Sequence, residues 1–343
     1  MKHLLRLLLL ISILGGAYVL MAQDAAPEPE YTRLSERMQV TLLLDWTPNT
    51  NHSGFYIAQA LGFYDDANLD VRIIEPTDVP VPQAVGVGVV EFGIGFQEFS
   101  SLALAEGADI VSVAAIIQTN TSGFATVAAD HPVTRAADLA PLRYAGFGFP
   151  QLENPILNQM LECDGAEWDG SNYLEIAGGD LLELLRRGRA DFTWIFYGWA
   201  GIQSELQGTP LNVVLLGEQT DCFPTYYTPI LLTSSALIEA NPELVAAFVQ
   251  ATARGYQVAI EDPAQAAELL LAAVPELDGD LVRASAEWLS SRYQGDAPRW
   301  GQQELSIWEN FSQFLFDIGI IAEPLDVEAA FTNDFLLPLP PAN

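Results

Sequence analysis

The stretch Gln39-Val40-Thr41-Leu42-Leu43-Leu44-Asp45-Trp46-Thr47-Pro48-Asn49-Thr50-Asn51-His52-Ser53-Gly54-Phe55-Tyr56-Ile57-Ala58-Gln59-Ala60-Leu61-Gly62 changes its pattern once. Up to Leu44 it is apolar and β-rich, which predicts a strand. Asp45 to Asn49 carries turn-forming residues, so the strand delivers a loop at its C-terminal end. Gly54 to Leu61 has helical spacing and closes at Gly62. The alternation continues outward. Val71–Ile74, Glu91–Gly95 and Ile110–Ile117 predict strands, with helices at Val81–Val87 and Gln97–Ala105 between them. Such a β-α-β-α-β run implies a parallel sheet with helices on its faces. A second, smaller cycle follows. Tyr144–Phe147, Tyr173–Ile176 and Asp191–Phe196 predict strands, and Asn154–Cys163 and Asp180–Arg187 predict helices. After Ile230 one more strand gives way to helices, two of them opened by Asn241-Pro242 and Asp262-Pro263.

The alternation breaks near Thr119–Thr126 and near Phe223–Thr228. Two breaks predict an α/β fold of two lobes, joined by two hinge-crossing strands and finished by C-terminal helices. Lobe I is expected at 38–122 and 227–343, and lobe II at 123–226. Ligands of such folds bind in the crevice off the strand ends.

Composition narrows the function. The 343 residues are 50% hydrophobic and 17% charged, with a formal net charge of −31. That surface repels phosphate backbones and anionic lipids, which argues against nucleic-acid binding. Lys2 is the sole lysine, which removes Schiff-base, pyridoxal-phosphate and P-loop chemistry from the rest of the chain. His3, His52, His131, Cys163 and Cys222 show no metal-site spacing. Cys163 and Cys222 are compatible both with a disulfide and with two buried thiols.

Residues 1–22 read as a signal peptide or an N-terminal anchor: Lys2 and Arg6 precede an apolar run from Leu7 to Met21. A polar spacer is expected at 23–37. No cysteine follows the apolar run, so a lipoprotein is not expected. The body is expected to lie outside the cytoplasm, secreted or held at the membrane.

The stretch Leu44–Gln59, followed by Leu61-Gly62-Phe63-Tyr64 and Leu69-Asp70-Val71, resembles the thiamine-pyrimidine-precursor-binding family of ABC solute-binding proteins and its relative, the yeast-type pyrimidine synthase. The resemblance continues through Phe92–Glu98, Asp191–Trp199, Tyr226-Tyr227-Thr228-Pro229, Ala253–Tyr256, Val274–Leu277 and Trp300-Gly301. It implies a type II periplasmic-binding-protein fold, no resident cofactor, and a membrane permease and cytoplasmic ATPase as partners. Where this chain is compared with the synthase branch, the cofactor lysine falls at Gly95 and the donor histidine at Phe99. The cysteine-rich iron motif is reduced to Cys222. The expectation is a binding protein, not an enzyme.

Flat rings at strand ends sandwich planar heterocycles. Trp46, Tyr197, Trp199, Tyr226 and Tyr227 are the candidate stacking residues, and Trp194 reads as core. Asp45, Asn49, Asn51, His52, Gln97 and Glu98 supply donors and acceptors for a ring edge. His52 is equally suited to capping its own loop. In the pyrimidine-binding branch an acid follows Gly-Trp, whereas here Ala200 follows Gly198-Trp199. Gly146-Phe147-Gly148-Phe149-Pro150 replaces that branch's glycine-rich turn. A related branch binds riboflavin, so riboflavin is the expected ligand. A formylaminopyrimidine or hydroxymethylpyrimidine, and an alkanesulfonate, are the alternatives. A sulfonate would require an arginine, and Arg143 is the one nearest the expected cleft in sequence.

Overall fold

The computed structural model describes residues 31–76, 78–174 and 181–339. The expected leader at 1–22 and most of the spacer lie outside the described residues, as do positions 175–180.

Among the described residues, ten strands form two five-stranded sheets. They are β1 (Met38–Leu43), β2 (Leu69–Ile74), β3 (Phe92–Gly95), β4 (Val111–Ala115), β5 (Ser122–Val127), β6 (Tyr144–Ala145), β7 (Tyr173–Leu174), β8 (Phe192–Phe196), β9 (Leu211–Leu215) and β10 (Ile230–Thr233). The first sheet runs β2-β1-β3-β10-β4 and the second β7-β6-β8-β5-β9. The β-α-β-α-β run predicts a parallel first sheet; β1 is parallel to β2 and β3, but both sheets are mixed. β10 is antiparallel to β3 and β4, and β5 is antiparallel to β8 and β9. Each antiparallel strand is one that has just arrived from the other lobe, so it enters its sheet from the crossing side.

That topology brings strand ends from both sheets together. Ile230 pairs with Gly95 and with Ala115, so the C-terminal ends of β3 and β4 lie beside the returning chain. Ser122 pairs with Phe196, so the C-terminal end of β8 lies beside the outgoing chain. The loops that leave these strands therefore converge on the two crossing segments, where open α/β sheets hold ligands.

Packing explains the glycines of the opening motif. The Ser53–Ala60 helix crosses the Pro242–Glu261 helix so closely that a Cβ on Gly255 would strike the Gly54 carbonyl, and one on Gly54 would strike the Tyr256 ring. Phe55, Phe92, Phe248 and Tyr256 fill the first lobe's core. Phe124, Tyr144, Phe192 and Trp194 fill the second.

The Leu305–Asp317 helix, expected within lobe I, packs against the cores of both lobes. Trp308 sits in a first-lobe cluster. Phe311 stacks on Tyr226 at 4.3 Å, and Phe314 meets Phe223 at 4.6 Å in the second-lobe core. Cys163, ending the Pro150–Cys163 helix, is disulfide-bonded to Cys222, which resolves the open question about the thiols.

Candidate functional site

The loop after β1 is fixed from several directions. The Asn49 side chain accepts from the Asn51 amide at 2.9 Å and donates to the Thr47 carbonyl at 3.0 Å. His52 Nδ1 accepts from the Asn49 amide at 3.2 Å, which assigns the ring proton to Nε2, and Nε2 lies 2.7 Å from Asp45 Oδ1. His52 thus closes its own loop in a reciprocal capping arrangement. Buried tyrosines hold the loop backbone: Tyr293 donates to the Thr50 carbonyl and Tyr256 to the Asn51 carbonyl, both at 2.6 Å. Trp46, at the tip of this scaffold, is 63% exposed.

After β3 come Phe96, Gln97, Glu98 and Phe99. The rings of Phe96 and Phe99 meet second-lobe rings, Phe196 at 5.5 Å and Phe149 at 5.1 Å. Between them on the same turn, Gln97 and Glu98 are buried. Gln97 Oε1 accepts from the Tyr227 amide at 2.6 Å. Gln97 Nε2 and Glu98 Oε2 have no hydrogen-bond partner among the described residues. Burial pushes the Glu98 carboxyl up to about 8, because a charged carboxylate is disfavoured away from water.

The crossing segments add Asn120, Ser122, Tyr226 and Tyr227. Asn120 Oδ1 accepts from the Ser122 amide and hydroxyl, at 2.8 and 2.7 Å. The Tyr226 hydroxyl is raised well above its ordinary range by burial first and then by Glu98, and it lies beside Asn120 and Ser122. Tyr227 points the other way. Its ring is in a first-lobe cluster, and its hydroxyl accepts from the Glu304 amide at 2.9 Å.

From the second lobe, the turn after β6 presents Phe147 and Phe149, both exposed. One buried carboxylate organises this turn. Glu153 accepts from the Tyr144 hydroxyl at 2.6 Å, the Phe147 amide at 2.9 Å and the Phe149 amide at 2.8 Å. After β8 the chain forms a π-type turn, Tyr197–Gly201. The Tyr197 ring meets Trp288 at 5.1 Å, and its hydroxyl bonds Glu205. Burial and Glu205 raise that hydroxyl to about 12. The Gly198 carbonyl accepts from Ser285, whose hydroxyl also meets Thr50 at 2.5 Å. Trp199 packs on the cluster of Leu270, Val274 and Val282.

The structure therefore gathers Asp45, Trp46, Asn49, Asn51 and His52 on one loop, and Gln97, Glu98 and Tyr226 around the crossing. It turns Tyr227 into the core, and Tyr197 and Trp199 toward first-lobe helices. Trp194 is buried in the second-lobe core. Sequence reasoning did not single out Phe96, Phe196, Asn120, Glu153 or Trp288. The one available signal was the Gly-Phe-Gly-Phe turn, whose phenylalanines were noted without a role. Among the described residues no group of three or more His, Cys, Asp or Glu side chains is placed to hold a metal.

A family model described as NMT1/THI5 like matches residues 49–266. The formylaminopyrimidine-binding protein of Halalkalibacterium halodurans is 27% identical over 303 residues, covering 86% of this chain and 89% of the relative. The riboflavin-binding protein RibY of Chloroflexus aurantiacus is 27% identical over 340 residues, covering 92% and 90%. The 4-amino-5-hydroxymethyl-2-methylpyrimidine phosphate synthase of Legionella pneumophila is 25% identical over 311 residues, covering 88% and 93%. The alkanesulfonate-binding protein SsuA from Xanthomonas axonopodis pv. citri, bound to MOPS, superposes with a TM-score of 0.67 at 16% identity, covering 87% of this chain and 99% of that one. This is the two-lobed fold of the periplasmic binding proteins.

Proposed function

Because the chain belongs to the NMT1/THI5-like family, we propose that it is the extracytoplasmic solute-binding component of an ABC importer, and that its solute is riboflavin, ahead of a thiamine pyrimidine precursor. The observation that carries this reading is the ring-lined meeting of the two lobes. Phe96, Phe99, Phe149 and Phe196 face one another across it, and Trp46 and Phe147 stand exposed at strand-end loops. Such faces suit a planar heteroaromatic solute. The Cys163–Cys222 bond fits an oxidising compartment. A permease and a cytoplasmic ATPase are the partners this role implies.

Binding is favoured over catalysis by what occupies the synthase positions. A Cβ at Gly95 would meet Leu232 Cδ1 at 2.6 Å and Ser100 Oγ at 2.9 Å, so a lysine there would require both side chains to shift. Phe99 is engaged with Phe149. Riboflavin is preferred because alanine stands at position 200, where the pyrimidine-binding branch carries an acid; Ala200 packs on the apolar cluster of Ala125, Leu182 and Ile195. A sulfonate is disfavoured because Arg143 is already spent on Asp191 and on the carbonyls of Gly188 and Arg189.

Titration with riboflavin, followed by flavin fluorescence, tests the reading. Stoichiometric quenching at micromolar flavin is expected. Absence of quenching, together with tight binding of a formylaminopyrimidine, would overturn the choice of ligand and leave the class intact.

A further inference from the structure

Buried polar atoms without partners concentrate where the lobes meet. Gln97 Nε2, Glu98 Oε2, Asn120 Nδ2 and Thr228 Oγ1 belong to the first turn of the Gln97–Ala105 helix or to the two crossing segments. Folded proteins leave few such atoms, so each calls for a partner or another explanation. Glu98 stands out because it is ionisable, 2% exposed and without a basic partner among the described residues. It shares its helical turn with Phe96 and Phe99, whose rings touch the second lobe.

We propose that Glu98, near Tyr226, is the polar anchor of the solute site, pairing as an uncharged carboxylic acid with an adjacent donor and acceptor on the edge of a neutral heteroaromatic ring. The inference rests on the reading of the interlobe gap as a solute site and adds what that site recognises. A carboxylic acid offers one O–H donor beside one carbonyl acceptor. A lactam or imide edge, or an amino group beside a ring nitrogen, presents the complementary pair. The amide nitrogens of Gln97 and Asn120 add donors for ring carbonyls.

The protonation state follows from the surroundings. Burial raises the Glu98 carboxyl to about 8, opposed by a hydrogen bond from its own backbone amide. Tyr226 is the titratable group whose hydroxyl Glu98 influences, and burial keeps that hydroxyl un-ionised. The acid form therefore predominates at neutral pH. If that form binds, affinity is full below about 8 and is lost as the pH rises through it.

The test uses the full chain with two uncharged probes, riboflavin and 4-amino-5-formylaminomethyl-2-methylpyrimidine, in wild type, Glu98→Gln and Glu98→Leu. Wild-type affinity is expected to fall about tenfold between about pH 7 and pH 9, as the acid form is depleted. Glu98→Gln keeps a donor beside an acceptor, so it should bind within a few-fold of wild type at pH 7 and show no fall at pH 9. Glu98→Leu should bind at least tenfold more weakly. Should that variant fail to fold by circular dichroism, the pH profile of Glu98→Gln decides alone. Binding by wild type that does not change with pH, or by a folded Glu98→Leu variant at wild-type affinity, overturns the anchor while leaving the solute-binding role standing. Binding of the pyrimidine alone, with the Glu98 dependence intact, overturns riboflavin and supports the anchor. If neither probe binds at pH 7, both the proposed solute class and the anchor fall.

Discussion

Replacing Trp46 by Ala tests ligand stacking with little expected effect on fold stability. The indole is 63% exposed. The loop beneath it is held by Asn49, His52, Tyr256 and Tyr293, and none of those bonds uses the Trp46 side chain. Removing it should therefore change the unfolding free energy by no more than about 0.5 kcal/mol, the usual range for surface substitutions. If the ring stacks on the solute, its loss removes about 1–3 kcal/mol of binding, by analogy with base stacking on aromatic side chains. That corresponds to an affinity loss of about 5- to 150-fold. Flavin fluorescence titration gives the affinity, and urea unfolding followed by circular dichroism gives the stability. Unchanged affinity for a bound flavin would remove Trp46 from the site. A large loss of stability would show that the indole supports the loop, against the hydrogen-bond pattern described above.

Three further outcomes follow from other parts of the molecule. Converting Cys163 and Cys222 to Ser opens a covalent loop with a sequence separation of 59, which should lower stability by about 4 kcal/mol. Identical denaturation curves for the double mutant and the oxidised wild type would contradict this. Glu153→Ala leaves the Tyr144 hydroxyl and the Phe147 and Phe149 amides without their acceptor; the expected loss is roughly 3 kcal/mol, with faster amide exchange in the turn. Protection at Phe147 and Phe149 that matches wild type would mean the turn is held by something else. Trp288→Ala removes the first-lobe ring that meets Tyr197, and an aromatic pair is worth about 0.5–1.5 kcal/mol. Solute dissociation should accelerate up to about tenfold without any change in a ligand contact, and an unaltered stopped-flow off-rate would show that this pair does not bear on release.

The sequence reveals the first lobe well, because its information is local. The Gln97–Ala105 helix has the expected bounds, and the first strand, expected at Gln39–Leu44, lies at Met38–Leu43. β5 is harder to read. Ser122-Gly123-Phe124-Ala125-Thr126-Val127 resembles a linker because it contains glycine and small residues. Gly123 is required because Leu215 Cα of the neighbouring strand would lie 2.8 Å from any Cβ there, a constraint set by residues far away in sequence. Orientation is the other loss. Tyr226 and Tyr227 are neighbours in sequence, yet one ring joins the second-lobe core and the other a first-lobe cluster, and only the fold decides which one meets Glu98. The direction of Trp199 depends on a π-type turn and on helices that begin some sixty residues later.

If the interlobe gap holds the solute, two opposing sets of interactions there set its selectivity. The Phe96–Phe196, Phe99–Phe149 and Tyr197–Trp288 pairs favour the touching arrangement, by about 0.5–1.5 kcal/mol each. The Ser285 hydroxyl, shared between Thr50 and the Gly198 carbonyl, adds to them. Against them stand Gln97 Nε2, Glu98 Oε2 and Asn120 Nδ2, each costing about 1–3 kcal/mol while unpaired. The opposing totals are of the same order, so the touching arrangement gains little on its own. A solute shifts the equilibrium only by the extra free energy it contributes in that state. A planar hydrocarbon would stack on the rings and leave the polar atoms unpaired, whereas a heterocycle with a donor and an acceptor on one edge would satisfy them as well. The rings should therefore set affinity for flat molecules in general, and the Glu98 cluster should set which flat molecule is retained.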